Sequence, residues 1–195
     1  MPPTSSTMLP LGSPIPSFSL PNYDGDVVSL DSLDGMKAIL VVFACNHCPF
    51  VHHVKDELRR IHEDYADLGL AVVAINPNDA DEYPEDSAPN MAEKAAEWGW
   101  KFPYLVDESQ EIAKAFRASC TPDFYLFDES HSLVYRGQMD DSRPNTGSPP
   151  TGADLRRAIE AVLAGEMPND DQKPSVGCSI KWRPGNAPNY ALSLM

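Results

Sequence analysis

The sequence predicts an α/β fold built on a parallel βαβ unit, and three observations support this. Residues 38–43 and 70–75 are continuous apolar runs rich in β-branched side chains, as expected of strands buried on both faces of a sheet. Between these runs, apolar residues recur at helical spacing from residue 51 to residue 68. A strand, a helix and a second strand of these lengths form one right-handed crossover unit.

The main domain is predicted to span residues 14–166, with a short segment on each side. Residues 1–13 are predicted to be a flexible lead. The domain itself begins with a small hairpin, with strands at 18–20 and 27–30. At the other end, residues 167–195 form a proline-rich tail that is expected to pack back on the domain.

The segment after the second apolar strand is polar and then helical. Residues 76–89 are acidic and contain proline, which predicts a long surface loop. A helical insertion follows, with short helices at 91–98 and 109–116 around an extended piece at 101–106, and Ser109 is expected to cap the second helix. The carboxylates of the loop are interpreted as a solvated face, and they are Asp79, Asp81, Glu82, Glu85 and Asp86.

An antiparallel hairpin and a last helix complete the predicted domain. The hairpin has strands at 124–127 and 132–136. Pro122 should lie just before the first of them, because proline cannot donate a hydrogen bond to a sheet ladder. Thr151 and Asp154 are spaced as in a capping box, which predicts the start of the last helix.

The chain is strongly acidic, since its 195 residues carry a formal net charge of -14 at pH 7. This charge argues against nucleic acid or an anionic membrane as a partner. No apolar segment is long enough to span a bilayer, and the first 16 residues lack the basic and apolar regions of a signal peptide. We therefore expect a cytoplasmic location, where paired cysteines are more often catalytic than structural.

Two cysteines at a predicted strand-to-helix junction are the strongest chemical signal. Cys45 and Cys48 follow the first buried strand, and Pro49 suits the first turn of the helix after them. Unpaired N–H groups and the positive end of the helix dipole favour thiolate over thiol at this place. His47 can add positive charge or a hydrogen bond. We expect a lowered pKa for Cys45.

Three other interpretations compete with a redox centre. A structural zinc site needs two further ligands with similar local clustering, and the sequence has no second cysteine pair. The two cysteines could be unreactive packing residues, because free cysteine is often buried. They could also bind soft copper(I) together with a histidine, as a delivery module without turnover. We expect neither a resident metal nor a cofactor.

Three segments carry a resemblance to a known family. Residues 43–51, 121–128 and 177–186 resemble the thioredoxin-like proteins of the alkyl hydroperoxide reductase and thiol-specific antioxidant (AhpC/TSA, peroxiredoxin-like) superfamily, and the resemblance extends from about residue 14 to residue 186. It implies a thioredoxin fold, in which helices flank a central mixed sheet. Here that fold would carry an N-terminal hairpin and a helical insertion.

The resemblance also implies roles for single residues. Pro122, after Thr121, corresponds to a cis proline that lies against the cysteine pair. In the thioredoxin pattern Cys45 attacks a disulfide and Cys48 resolves the intermediate. In the peroxiredoxin pattern Cys48 is the peroxidatic cysteine, a threonine stands at the position of Cys45, and an arginine polarises the peroxide, for which Arg143 is the candidate.

The leading hypothesis is a thiol-disulfide oxidoreductase with an antioxidant role, and the alternative is a thiol peroxidase. Its partners would be protein or small-molecule disulfides or hydroperoxides, and a thiol reductant that the sequence does not identify. Two further cysteines are auxiliary candidates. Cys120 is interpreted first as a packing residue and second as a third redox thiol. Cys178, in the tail, could resolve a sulfenic acid or be inert. The sequence leaves the oligomeric state open.

Overall fold

The computed structural model describes residues 3–192 and contains ten strands and five α-helices within that range. The strands are β1 (Thr4–Ser5), β2 (Ser19–Pro21), β3 (Val27–Ser29), β4 (Ala38–Phe43), β5 (Leu70–Asn76), β6 (Tyr104–Val106), β7 (Cys120–Thr121), β8 (Asp123–Asp128), β9 (Leu133–Gly137) and β10 (Val176–Ser179). The helices are α1 (Pro49–Tyr65), α2 (Ala88–Trp98), α3 (Glu111–Ala115), α4 (Ala153–Leu163) and α5 (Asn189–Leu192).

A five-stranded mixed sheet with the order β6-β5-β4-β8-β9 forms the centre of the fold. Strands β4, β5 and β6 run parallel, and β8 and β9 are antiparallel to their neighbours. The predicted βαβ unit is therefore confirmed, as are the small N-terminal hairpin of β2 and β3 and the hairpin of β8 and β9. Helices flank the sheet as in the thioredoxin fold that the resemblance implies.

The central strand β4 is buried on both faces, and its side chains divide the core into two clusters. Leu40 and Val42 belong to a cluster with apolar residues of α1, α2 and α4. Ile39, Val41 and Phe43 belong to a second cluster, which includes residues of β2 and α3. Because β4 is held from both sides and by two neighbouring strands, the loop that follows it starts from a rigid edge.

Two predicted helix caps are wrong. The N-cap of α3 is Gln110, in the left-handed region at φ +64°, and not Ser109. The N-cap of α4 is Gly152, and not Thr151. The reason at α4 is long-range: the Asp140 carboxylate accepts hydrogen bonds from the backbone N–H groups of Thr151 (2.6 Å) and Gly152 (2.7 Å), so the turn before α4 is held by the preceding loop.

Both ends of the described chain pack on the domain. Residues 4 and 5 were expected to be part of a flexible lead, but they form β1, which pairs with β10. Strand β10 also pairs with β7 and completes a three-stranded sheet in the order β1-β10-β7. The tail thus returns to the domain through backbone hydrogen bonds. The domain boundaries themselves stay a prediction.

Every helix within residues 3–192 is too short or too polar to cross a membrane.

The close approach of β10 to β7 depends on Gly177. A Cβ atom at this position would overlap the carbonyl oxygen of Thr121. We predict that Gly177→Ala lowers the free energy of unfolding by about 1–3 kcal/mol, because the backbone of one strand must shift. Val176→Ala, in the same strand, is the control, and denaturant unfolding is the measurement. An unchanged midpoint for Gly177→Ala would show that β10 does not lie this close to β7.

Candidate redox site

Cys45 and Cys48 lie beside the backbone of Thr121, at the edge where β4 ends. Both cysteines are fully buried. The Cys45 sulfur is 3.2 Å from Thr121 Oγ1, and the Cys48 sulfur is 3.1 Å from the Thr121 carbonyl oxygen. The Thr121–Pro122 bond is cis, as the resemblance implies. The structure therefore brings four of the predicted site residues into one cluster.

Cys178 joins this cluster from the tail. It pairs in register with Thr121 across β10 and β7, and it packs against the core cluster that contains Cys45 and Cys48. Cys178 is partly exposed, whereas the other three cysteines are buried. All four thiols are free in this structure. Cys45, Cys48 and Cys178 thus all lie beside Thr121.

Hydrogen-bond donors converge on the Cys48 sulfur and lower its pKa. The largest contribution comes from the Cys178 thiol, followed by the Cys45 thiol, and the backbone N–H of Val51 adds to them against the opposing effect of burial. Cys48 is the N-cap residue of α1, so its sulfur also lies at the positive end of the helix dipole. The Thr121 carbonyl oxygen can bond only the protonated thiol and acts in the opposite direction. With these donors the pKa of Cys48 lies well below its usual range.

The expected lowering of the Cys45 pKa is wrong. Burial raises the pKa of this thiol well above its usual value, and donation to Cys48 and the charge of Asp86 act in the same direction. The physical reason is the position of the helix start. Helix α1 begins at Pro49, so Cys48 is its cap and Cys45 lies three residues before that cap.

His47 is paired with a buried carboxylate. Its Nδ1 atom lies 2.7 Å from Oδ2 of Asp86, whose side chain is fully buried while that of His47 is 25% exposed. The neighbouring Asp86 carboxylate raises the pKa of His47 against the effect of burial. Burial alone would raise the pKa of Asp86, but the His47 ring and hydrogen bonds from Asn78 Nδ2 (2.7 Å) and from the backbone of Asn46 (2.6 Å) outweigh it and lower that pKa.

Asp86 is the site residue that the sequence interpretation missed. The loop carboxylates were assigned to a solvated face, but Asp86 and Asp79 are buried. A short 3-10 turn at Pro84–Asp86 brings Asp86 inward. The available signal was the pair Asn76 and Asn78, polar residues at the end of a buried strand. Carboxyl ends of neighbouring parallel strands meet at one sheet edge, where ligands commonly bind.

Three donor atoms at this edge could also hold a metal ion. The Cys45 sulfur, the His47 ring and the Asp86 carboxylate lie within 4.8 Å of one another. Asp86 was not included when cysteines were counted in the sequence to argue against a zinc site. A carboxylate suits zinc better than copper(I). However, His47 and Asp86 already pair with each other, so this ion pair would have to open to bind a cation.

Cys120 and Arg143 contribute differently from the cysteine pair. Cys120 is fully buried, burial raises its pKa well above the usual value, and its sulfur lies 3.8 Å from the Pro122 carbonyl oxygen. The Arg143 guanidinium donates to the carbonyl oxygens of Asp140 (2.9 Å) and Ser142 (2.7 Å), and to Oε1 of Gln138 (2.7 Å). These bonds engage Arg143 within its own loop.

Comparisons with known proteins agree with this geometry. The sequence profile of the AhpC/TSA family matches residues 11–136. The crystal structure of an uncharacterized conserved protein from Geobacillus kaustophilus is similar over 95% of this chain and 98% of its own, with 54% sequence identity and a TM-score of 0.92. A Mycobacterium tuberculosis protein that carries the provisional name peroxiredoxin is 30% identical over 115 residues, 59% of this chain and 68% of that protein. The thiol-disulfide oxidoreductase ResA of Geobacillus kaustophilus is 22% identical over 161 residues, 82% of each chain.

The pair of His47 and Asp86 predicts a defined pH dependence of stability. Folding raises the pKa of His47, so its contribution is complete below the ordinary value of 6.5 and is lost as the pH rises through the raised value. Folding lowers the pKa of Asp86, so its contribution is complete above 3.8 and is lost as the pH falls through the lowered value. We expect the stability difference between the parent protein and His47→Gln to be largest between these limits and to shrink above pH 6.5.

Denaturant unfolding at a series of pH values measures this difference. His131→Gln, in the turn between β8 and β9, is the control for loss of an imidazole elsewhere. A difference between the parent protein and His47→Gln that stays constant from pH 5 to pH 9 would contradict the pairing with Asp86.

Proposed function

The chain belongs to the AhpC/TSA family, and from this premise we propose that it is a thiol-disulfide oxidoreductase in which Cys48 attacks the substrate and Cys45 resolves the intermediate. The coarser assignment, an oxidoreductase enzyme with a thioredoxin fold, follows from the family and its named relatives. The exchange of roles between the two cysteines is the part that the local geometry supports.

The position of Cys48 at the start of α1 is the observation that carries this proposal, and the direction of its pKa agrees with it. A thiolate, and not a thiol, is the nucleophile in disulfide exchange. The Cys48 sulfur is the N-cap sulfur of α1 and has the lowered pKa, whereas burial keeps Cys45 protonated. The Cys45 and Cys48 sulfurs both contact Thr121, so Cys45 is within reach of an intermediate formed at Cys48.

The proposed reaction is a balanced two-step exchange. In the first step, the Cys48 thiolate attacks one sulfur of a disulfide, forms a mixed disulfide and releases the other sulfur as a thiolate. In the second step, Cys45 attacks the Cys48 sulfur, the Cys45–Cys48 disulfide forms, and the remaining substrate thiolate leaves. The proton of Cys45 passes to a released thiolate. The substrate gains two electrons, and a thiol reductant must return them to the cysteine pair.

A thiol peroxidase is the second candidate, and the burial of both sulfurs favours it. A hydroperoxide is small enough to reach a buried thiolate, and Cys48 occupies the position that the resemblance assigns to a peroxidatic cysteine. The Cys48 thiolate would take the terminal oxygen and release an alcohol, and Cys45 would then form the disulfide and release water. The Mycobacterium tuberculosis relative bears a peroxiredoxin name. The antioxidant role depends on this candidate, and it stays a prediction, as does the cytoplasmic location.

Insulin-disulfide reduction and hydroperoxide consumption, measured side by side, distinguish the two candidates. We expect Cys48→Ser to lose insulin reduction by roughly 10³-fold or to background, because a hydroxyl does not replace the thiolate. Cys45→Ser should keep the first step and accumulate a mixed disulfide at Cys48. Cys120→Ser is the matched control, since it also removes one buried thiol.

The outcomes separate clearly. Insulin reduction that needs both Cys45 and Cys48, with negligible peroxide turnover, supports the proposal. Rapid peroxide consumption that depends on Cys48, in a protein that does not reduce insulin, makes the chain a peroxidase. Insulin reduction that survives Cys48→Ser would overturn the assignment of Cys48 as the nucleophile.

A further inference from the structure

The thiols of the site differ in their access to solvent. Cys45 and Cys48 are both 0% exposed, whereas Cys178 is partly exposed and lies opposite Thr121, whose carbonyl oxygen contacts the Cys48 sulfur. A protein reductant needs less local opening of the fold to reach the partly exposed Cys178 than to reach either buried cysteine. Cys178 is the thiol of this cluster that such a reductant meets first.

The position of Cys178 is built into the fold and is not a chance contact of a loose tail. Strand β10 lies between β1 and β7, with Thr4 opposite Gly177 and Thr121 opposite Cys178. Gly177 permits the approach, because any larger side chain would overlap the Thr121 carbonyl oxygen. Just beyond the strand, Ile180 is buried and its N–H donates to the Ser119 carbonyl oxygen at 3.1 Å.

We propose that Cys178 is a relay thiol: it accepts the disulfide from the buried pair by bonding to Cys48, and an external dithiol reductant attacks the partly exposed Cys178. This inference rests on the proposed function, because it describes how the oxidised pair is returned to the reduced form. It assigns to the tail a direct part in turnover. It also names the reductant by class, as a dithiol that reaches the surface at β10.

Each step of the relay balances. The Cys178 thiol loses its proton and attacks the Cys48 sulfur of the Cys45–Cys48 disulfide, Cys45 leaves, and the proton ends on Cys45. The reductant's thiolate then attacks the Cys178 sulfur and Cys48 leaves as a thiolate. The second thiol of the reductant then attacks the reductant's first sulfur, which is bonded to Cys178. The reductant becomes a disulfide, and Cys178 is released as a thiol.

The burial of the two sulfurs favours the second step. In a Cys48–Cys178 disulfide the Cys48 side is fully buried and the Cys178 side is partly exposed. An external thiolate therefore reaches Cys178 first and releases Cys48. The Lys181 ammonium acts to lower the pKa of Cys178, which assists the first step.

Strand β10 covers the backbone next to the cis Thr121–Pro122 bond. It pairs antiparallel with β7, so an extended chain could add at this side of β7 only by displacing β10. The partly exposed Cys178 would let electrons pass while β10 stays in place.

Disulfide mapping tests whether the Cys48–Cys178 bond forms. Cys45→Ser is treated with one equivalent of diamide, its free thiols are alkylated, and its peptides are identified by mass spectrometry. We expect a Cys48–Cys178 disulfide as the main product, and both this bond and Cys45–Cys48 in the parent protein. If Cys45→Ser leaves Cys48 and Cys178 alkylated while the parent protein forms Cys45–Cys48, the relay is overturned.

Single-turnover reduction tests whether the bond is used. The oxidised parent protein, Cys178→Ser and Cys178→Ala are each mixed with reduced thioredoxin as the dithiol protein, and with dithiothreitol as the small dithiol. We expect both variants to be reduced at least about tenfold more slowly by thioredoxin, with a smaller loss for dithiothreitol. Cys120→Ser should match the parent protein. Thermal unfolding verifies that both Cys178 variants keep the fold, since β10 pairs through its backbone.

The two proposals fail in different ways. A parent protein that reduces no insulin removes the proposed function whatever Cys178 does. The other case is a parent protein that reduces insulin and whose oxidised form is reduced by thioredoxin no faster than the oxidised Cys178 variants are. The proposed function then stands, and the relay is overturned.

Discussion

The site depends on the position of Cys48 at the start of α1, where three parts of the chain meet. They are the loop after β4 with Cys45, the first turn of α1, and the tail with Cys178. Hydrogen bonding from these parts lowers the pKa of Cys48 against burial, which favours the thiol. A sulfur held in this way is both a good nucleophile and a good leaving group, and disulfide exchange uses both properties in turn.

The surrounding polar network keeps these parts in register. Asp86 accepts hydrogen bonds from the Asn46 backbone and from Asn78, and Asn78 in turn accepts one from the Lys181 backbone at 2.9 Å. The cysteine loop, the loop after β5 and the segment after β10 are thereby joined through one buried carboxylate. A buried polar network of this kind is stable only when its members are satisfied, so it specifies one arrangement of the three segments. The His47 ring, stacked on Tyr83 at 5.6 Å between centroids, closes the network toward solvent.

Much of this architecture could be predicted from the sequence because its signals are local. The apolar run of β4, the helical spacing in α1 and the proline at its first turn each depend on neighbouring residues. The predictions for Asp86 and for the start of α4 were wrong because these features depend on distant residues. Asp86 is buried because Asn46, His47 and Asn78 converge on it, and the run of carboxylates does not by itself indicate which of them is buried. The start of α4 is held by Asp140 in a preceding loop.

The assignment of the two cysteines shows the same contrast on a smaller scale. The Cys-x-x-Cys spacing predicts that one thiol at the junction is activated, but the choice depends on where the helix starts and on which thiols donate. One direct measurement decides it: reaction of an aromatic disulfide with Cys45→Ser/Cys178→Ser and with Cys48→Ser/Cys178→Ser, followed by peptide mapping of the adduct. We expect the first variant, which keeps Cys48, to react much faster at neutral pH and to carry its adduct on Cys48. Faster reaction of the second variant, with the adduct on Cys45, would contradict the account.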